Sequence, residues 1–174
     1  SWFDENGWRE RSPSTVRQLF GKIGFQDSTT DLHLSLGLGD TDLVGNGVTP
    51  ESMLERRRKQ VYTVPDVTNK NMWMLNLTGT HLLTNTLQLG GNVYYRSNRI
   101  RTLNGDANDE YGECYEDAVA NLLDPLVECP DSGSNNRSRS QEHAYGAGLQ
   151  LSHLLDRNRL TLGVSFDRGT TDFT

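Results

Sequence analysis

Two charged stretches and one cysteine pair hold most of the residues that could do chemistry. Arg56-Arg57-Arg58-Lys59 follows Thr49-Pro50-Glu51-Ser52. Thr as N-cap, Pro at the first helical position and Glu in the first turn predict a short helix, with the cations toward its C-terminus, where they suit the macrodipole. Such a run either lies solvated on a surface helix or offers a patch to an anionic ligand or lipopolysaccharide. From Asn104 to Ser132 there are nine acids and no base, so the net charge of −6 belongs to this stretch. Within it, Tyr115, Ala118, Val119, Leu122 and Leu123 follow the i, i+3, i+4, i+7, i+8 spacing of a small amphipathic helix. Asp106-Ala107-Asn108-Asp109-Glu110 invites a calcium reading through alternating oxygen ligands, but it lacks the twelve-residue loop spacing, and a solvated acidic loop is the plainer expectation. Cys114 and Cys129, the only two cysteines, make a poor zinc site because no histidine lies near either. His33, His81, His143 and His153 fall on separate segments, and no metal site is expected. No nucleophile elbow, metalloprotease motif or phosphate-cradling glycine loop is present, so no catalytic residue is assigned and no cofactor is implied.

The elements that would carry these residues read as strands. Six segments alternate apolar and small polar residues, near 16–26, 31–39, 71–83, 87–101, 143–155 and 159–168. The second is the clearest: Leu32, Leu34, Leu36 and Leu38 on one face, His33, Ser35, Gly37 and Gly39 on the other. Short turns rich in Asp, Asn, Ser and Thr join the segments in pairs, at residues 27–30, 84–86 and 156–158. Long excursions at 40–70 and 103–142 separate the pairs. Short turns at one end and long loops at the other describe an antiparallel transmembrane β-barrel of an outer membrane.

Composition agrees with that class. Only 34% of the 174 residues are hydrophobic, which is thin for a packed soluble core but fits a barrel whose inside is polar. The apolar faces carry no charge, and the polar faces hold mostly Gly, Ser, Thr, Asn and Gln rather than the Lys and Glu of a solvated surface. Trp73, Tyr94, Tyr95 and Tyr145 lie toward the long-loop ends, where an aromatic girdle would sit. The oxidising side of such a membrane makes a Cys114–Cys129 disulfide the expectation, constraining the acidic loop by on the order of 3 kcal/mol. An acidic chain without a basic, aromatic-interleaved face argues against nucleic acid as a partner. Six strands are too few to close a barrel, so the sequence reads as a piece of a longer polypeptide.

Several motifs point to a family. Gly7-Trp8-Arg9-Glu10-Arg11-Ser12-Pro13-Ser14, the run from Val16 to Phe25, Asp31-Leu32-His33-Leu34-Ser35-Leu36, Thr49-Pro50-Glu51-Ser52, and Tyr94-Tyr95-Arg96 leading to Thr102-Leu103-Asn104-Gly105-Asp106 resemble the barrel of TonB-dependent outer-membrane receptors. The resemblance covers most of the first 110 residues and, more weakly, Tyr145 to Phe166. It implies a barrel of about 22 strands around an N-terminal plug. It also implies a TonB complex that supplies energy through the region before the barrel, and a scarce cargo such as a ferric siderophore. The plug, the TonB box and a closing strand are missing from the residues given, so an internal barrel segment is expected. On this reading Arg56, Arg57, Arg58 and Lys59, with lumen-facing Tyr94, Arg96 and Asn98, are the candidate ligand contacts. The acidic loop argues instead for a cation or a sugar. A passive porin-like channel and a soluble secreted β-sandwich that binds carbohydrate remain the alternatives.

Overall fold

A computed structural model of the chain describes residues 1–45, 47–123, 129 and 132–174. They form one seven-stranded antiparallel sheet in sequential order: β1 (Trp2–Glu5), β2 (Ser14–Gln26), β3 (Thr30–Val44), β4 (Asp66–Leu82), β5 (Leu87–Ala107), β6 (Gly133–Leu154) and β7 (Arg159–Phe173). Two helices lie in the excursions, α1 (Glu51–Arg56) and α2 (Asp109–Ala120). The sheet does not close: β1 and β7 each leave one edge unpaired among the described residues. No described helix is long and apolar enough to cross a membrane.

The sheet has seven strands where the alternation showed six. Trp2-Phe3-Asp4-Glu5 is too short and does not alternate, yet it pairs with Ser14–Arg17. The other strands begin or end close to expectation at the short turns but run further at the opposite end. β3 reaches Val44 and β4 starts at Asp66; β5 reaches Ala107, β6 starts at Gly133 and β7 reaches Phe173. The excursions shrink accordingly to residues 45–65 and 108–132. Both faces are polar there, as in Asp42 opposite Asn69 on one face and Asn104 opposite Asn136 on the other, so the hydrophobic period vanishes while the backbone ladder continues. These strands are longer than the 9–11 residues a tilted strand needs to cross a bilayer.

Register joins the separate apolar faces into one. Ile23, Leu34, Leu77, Val93, Ala147 and Phe166 form a single row across β2–β7, and Phe25, Leu32, Gly79, Gly91, Leu149 and Val164 form the next. A one-residue slip in any pairing would break these rows. Nothing packs on this face: Ile23 is 69% exposed, Val93 56% and Val164 71%. Among the described residues no large side chain is fully buried, and the buried apolar residues are only Ala118 and Ala144. Ala144, Gly146 and Ser152, on the opposite face of β6, are buried, while their neighbours Tyr145, Ala147 and Leu151 are exposed. The sheet thus inverts the soluble pattern, with polar residues on the crowded face and apolar ones on the open face.

The first hairpin shows how the short turns hold. Asp27 accepts from the backbone N–H groups of Thr29 and Thr30, both at 2.8 Å. These two bonds hold its carboxyl below the ordinary aspartate value. A carboxyl depressed in the folded state stabilises the turn above its unfolded value and loses that contribution as pH falls through the folded one. Acidification below about pH 4 is therefore expected to speed amide exchange at Thr29 and Thr30 while Thr86 and Leu87 keep their protection. Equal protection at both turns across that range would contradict this.

Candidate functional site

The two excursions and the β1–β2 connection meet at one end of the sheet. Arg9 donates through Nη1 to the Gly47 carbonyl and to Thr49 Oγ1, each at 3.3 Å, and Glu10 N–H donates to the Lys59 carbonyl at 2.9 Å. Thr49 is buried under Arg9 and is not the helix cap; Pro50 occupies that position with no side-chain cap bond. The helix ends at Arg56, the first residue of the basic run, and Arg57 is already extended. The cluster therefore divides. Arg57 Nη2 pairs with Glu10 Oε1 at 2.7 Å, whereas Arg56, Arg58 and Lys59 make no ion pair among the described residues.

Tyr94, Arg96 and Asn98 occupy successive positions on the polar face of β5. The Tyr94 hydroxyl donates to Asp167 Oδ1 at 2.8 Å, reaching across β6 at Gly146, which has no side chain in the way. Tyr94 is thus on the polar face, whereas Trp73, Tyr95 and Tyr145 lie on the apolar side. Arg96 Nη2 donates to Glu142 Oε1 at 2.8 Å. Asn98 Oδ1 is buried without a hydrogen-bond partner. The three lie together, but no hydrogen bond or ion pair links them to Arg56, Arg58 or Lys59. Sequence reading missed the partners Asp167 and Glu142, because cross-strand register depends on loop lengths that carry no residue signal.

Lower on the same face is a polar concavity of about 580 Å³, lined by Asp31, His33, Thr78, Asn92, Gln150 and Ser165 among others. His33 Nε2 stands 2.8 Å from Asp31 Oδ1, while His33 Nδ1 has no hydrogen-bond partner. Glycines make the room: a Cβ on Gly24 would lie 2.7 Å from His33 Nδ1, and one on Gly148 2.8 Å from Asn92 Oδ1. The donors and acceptors are mixed and mostly neutral, a lining suited to water or hydroxyl-rich solutes. The alternation placed His33 on this face but gave no sign that side chains from four other strands converge on it.

A second cavity, about 840 Å³, opens between the excursions, lined by Tyr62, Asp106, Asp109, Tyr111, Glu113 and Glu116 among others. α2 begins at Asp109, earlier than the hydrophobic spacing implied, because Asn108 caps it by accepting from Glu110 N–H at 3.2 Å. It stops at Ala120, so Leu122 and Leu123 lie beyond it, and Leu122 turns left-handed with φ 57° and is 94% exposed. Cys114 and Cys129 are disulfide-bonded with Cα atoms 5.7 Å apart. Three of the nine acids, Asp124, Glu128 and Asp131, lie outside the described residues, whereas the Asp106–Glu110 stretch of the calcium reading lies within them, divided between the end of β5 and the start of α2. Among the described residues no three His, Cys, Asp or Glu side chains gather closely enough to hold a metal.

The chain is an all-β protein built on one antiparallel sheet, with an acidic cavity at its loop end and a polar concavity on one face. No protein-family model matches it, and none of the curated proteins is significantly similar to it.

Proposed function

We propose that this sheet is part of a bacterial outer-membrane β-barrel of the TonB-dependent receptor class, which binds a scarce ligand such as a ferric siderophore and imports it. The observation that carries the reading is the apolar face that lies open across β2–β7, free of charge along the rows from Ile23 to Phe166 and from Phe25 to Val164, while the opposite face is polar and crowded. A soluble protein rarely exposes so large an apolar patch, whereas hydrocarbon requires it. One-sided long excursions support the same class. In lipid the open edges of β1 and β7 would leave backbone groups unpaired, so further strands must complete the barrel. The motifs shared with the receptor family narrow a barrel to a receptor, with the TonB complex as the energising partner, lipid and lipopolysaccharide around it, and transport rather than catalysis as its work.

Ligand capture falls to the loop end and passage to the polar face. Arg56, Arg58 and Lys59 are the cations left unpaired there for an anionic chelate; Tyr94, Arg96 and Asn98 line the way inward, the first two already engaged with carboxylates. The acidic, tyrosine-lined cavity favours a second reading of the cargo as a cationic chelate or a sugar. Neutralising Arg56, Arg58 and Lys59 together to Gln in the full-length protein separates the two. An anionic chelate predicts uptake reduced by about tenfold or more. Unchanged uptake of an anionic chelate by this variant would remove the basic cluster from the site.

A further inference from the structure

We infer that Arg99, Arg101, Arg137 and Arg139 form a phosphate-binding site on the apolar side of the sheet, immediately above the apolar band, and that the headgroup of an anionic phospholipid or phosphorylated glycolipid occupies it. The inference rests on the membrane reading. Continuous register from the band upward places these residues on the same side as Leu75 and Val93. The row Trp73–Ser97–His143 is followed by Asn71–Arg99–Gln141, then Asn69–Arg101–Arg139, then Val67–Leu103–Arg137.

Arg101 stands directly opposite Arg139, an arrangement that destabilises an antiparallel pair unless something compensates it. No described residue does. The acids on the same side at this height are Asp4 on the far strand β1, Asp40 and Asp42 on β3, and Asp172 on β7. Asn71 donates to Asp40 at 3.2 Å and Asn69 donates to Asp42, so β4 holds both β3 carboxylates away from the arginines. None of the four arginines makes an ion pair among the described residues; the Arg139 side chain donates only to Gln141 Oε1, at 3.4 Å. Between three of them, with Arg99 one row below, lies a concavity of about 350 Å³, lined by Asn69, Arg101, Leu103, Arg137 and Arg139 with Thr102 and Ser138.

Its height identifies the occupant. Just below, the Trp73 and Tyr95 rings lie 4.8 Å apart and the Tyr95 hydroxyl meets His143 Nδ1 at 2.8 Å. Amphipathic rings of this kind collect at the membrane–water interface, so acyl chains would lie on Leu75 and Val93 and a headgroup beside the arginines. Guanidinium forks match phosphate oxygens two at a time.

The test uses full-length protein, extracted from the membrane and examined by native mass spectrometry after exposure to phosphatidic acid or phosphatidylcholine. The expected result is retention of phosphatidic acid over phosphatidylcholine, reduced about tenfold or more in the double variant Arg101→Gln/Arg139→Gln. Arg101→Lys/Arg139→Lys, which keeps charge but loses the fork, is expected to fall between. Heat-modifiable migration certifies that each variant is folded. Equal retention by a folded double variant, or displacement of the lipid by inorganic phosphate, overturns the lipid site while leaving the membrane reading intact. Protein that folds and stays in solution without detergent overturns both.

Discussion

Replacing Val93 by lysine is expected to destabilise the folded, heat-modifiable form of the protein in membranes and to lower its yield sharply. Val93 lies mid-row between Leu77 and Ala147 and is 56% exposed on the apolar face. A lysine at the midplane of a bilayer costs about 2–4 kcal/mol, a large share of the roughly 5–15 kcal/mol by which folded proteins exceed their unfolded states. Its sequence neighbour Asn92 provides the control, because it points to the polar face opposite Thr78 and Gly148. Asn92→Lys should leave folding intact and alter the concavity beside His33. The measurement is the fraction of protein that shifts on heating before electrophoresis. Comparable loss in both variants, or in neither, would contradict a lipid-facing Val93.

The second large effect is steric. Gly146 sits beneath the Tyr94–Asp167 hydrogen bond, and a Cβ there would come 2.7 Å from Tyr94 Cε1 and 2.9 Å from the Phe166 carbonyl, besides colliding with Asp167. One of those neighbours is backbone, so no side-chain rotation relieves the contact. Gly146→Leu is expected to break the hydrogen bond, part β6 from β7 locally, and destabilise by about 1–3 kcal/mol. Gly169→Ala is the matched control: a Cβ at Gly169 meets nothing within 4 Å, and its effect should stay within about 0.5 kcal/mol. Chemical denaturation in detergent measures both. A Gly146→Leu protein as stable as Gly169→Ala would show that Tyr94 does not cross β6 there.

These two positions also show where residue patterns inform and where they stop. Val93 could be assigned a face from alternation alone, since period two requires only its near neighbours on β5. Gly146 could not, because its constraint comes from Tyr94 and Asp167, each 21 or more residues away in sequence on strands β5 and β7, or from that spacing compounded. The upper halves of β5 and β6 were illegible for a different reason. Beyond the expected ends of these strands, residues such as Asn104 and Asn136 on one side and Arg139 on the other are polar, so the ladder continues with no hydrophobic signal. β1 escaped because four residues cannot establish a period. The candidate ligand residues fared unevenly on the same grounds. Tyr94, Arg96 and Asn98 share a face because they share a parity, whereas the division of Arg57 from Arg56, Arg58 and Lys59 depends on Glu10, a contact between distant loops.

Collision accessibility along β5 tests the central claim most directly. Single cysteines replacing Leu89, Gly90, Gly91, Asn92, Val93, Tyr94 and Tyr95 in the membrane-embedded full-length protein would be spin-labelled, since Cys114 and Cys129 are bonded to each other. A lipid-facing row predicts that labels at residues 89, 91, 93 and 95 collide preferentially with dissolved oxygen. Labels at residues 90, 92 and 94 should collide instead with a water-soluble nickel chelate. Uniform access of the chelate to both sets, or protection of both from either reagent, would contradict a sheet whose apolar side meets lipid.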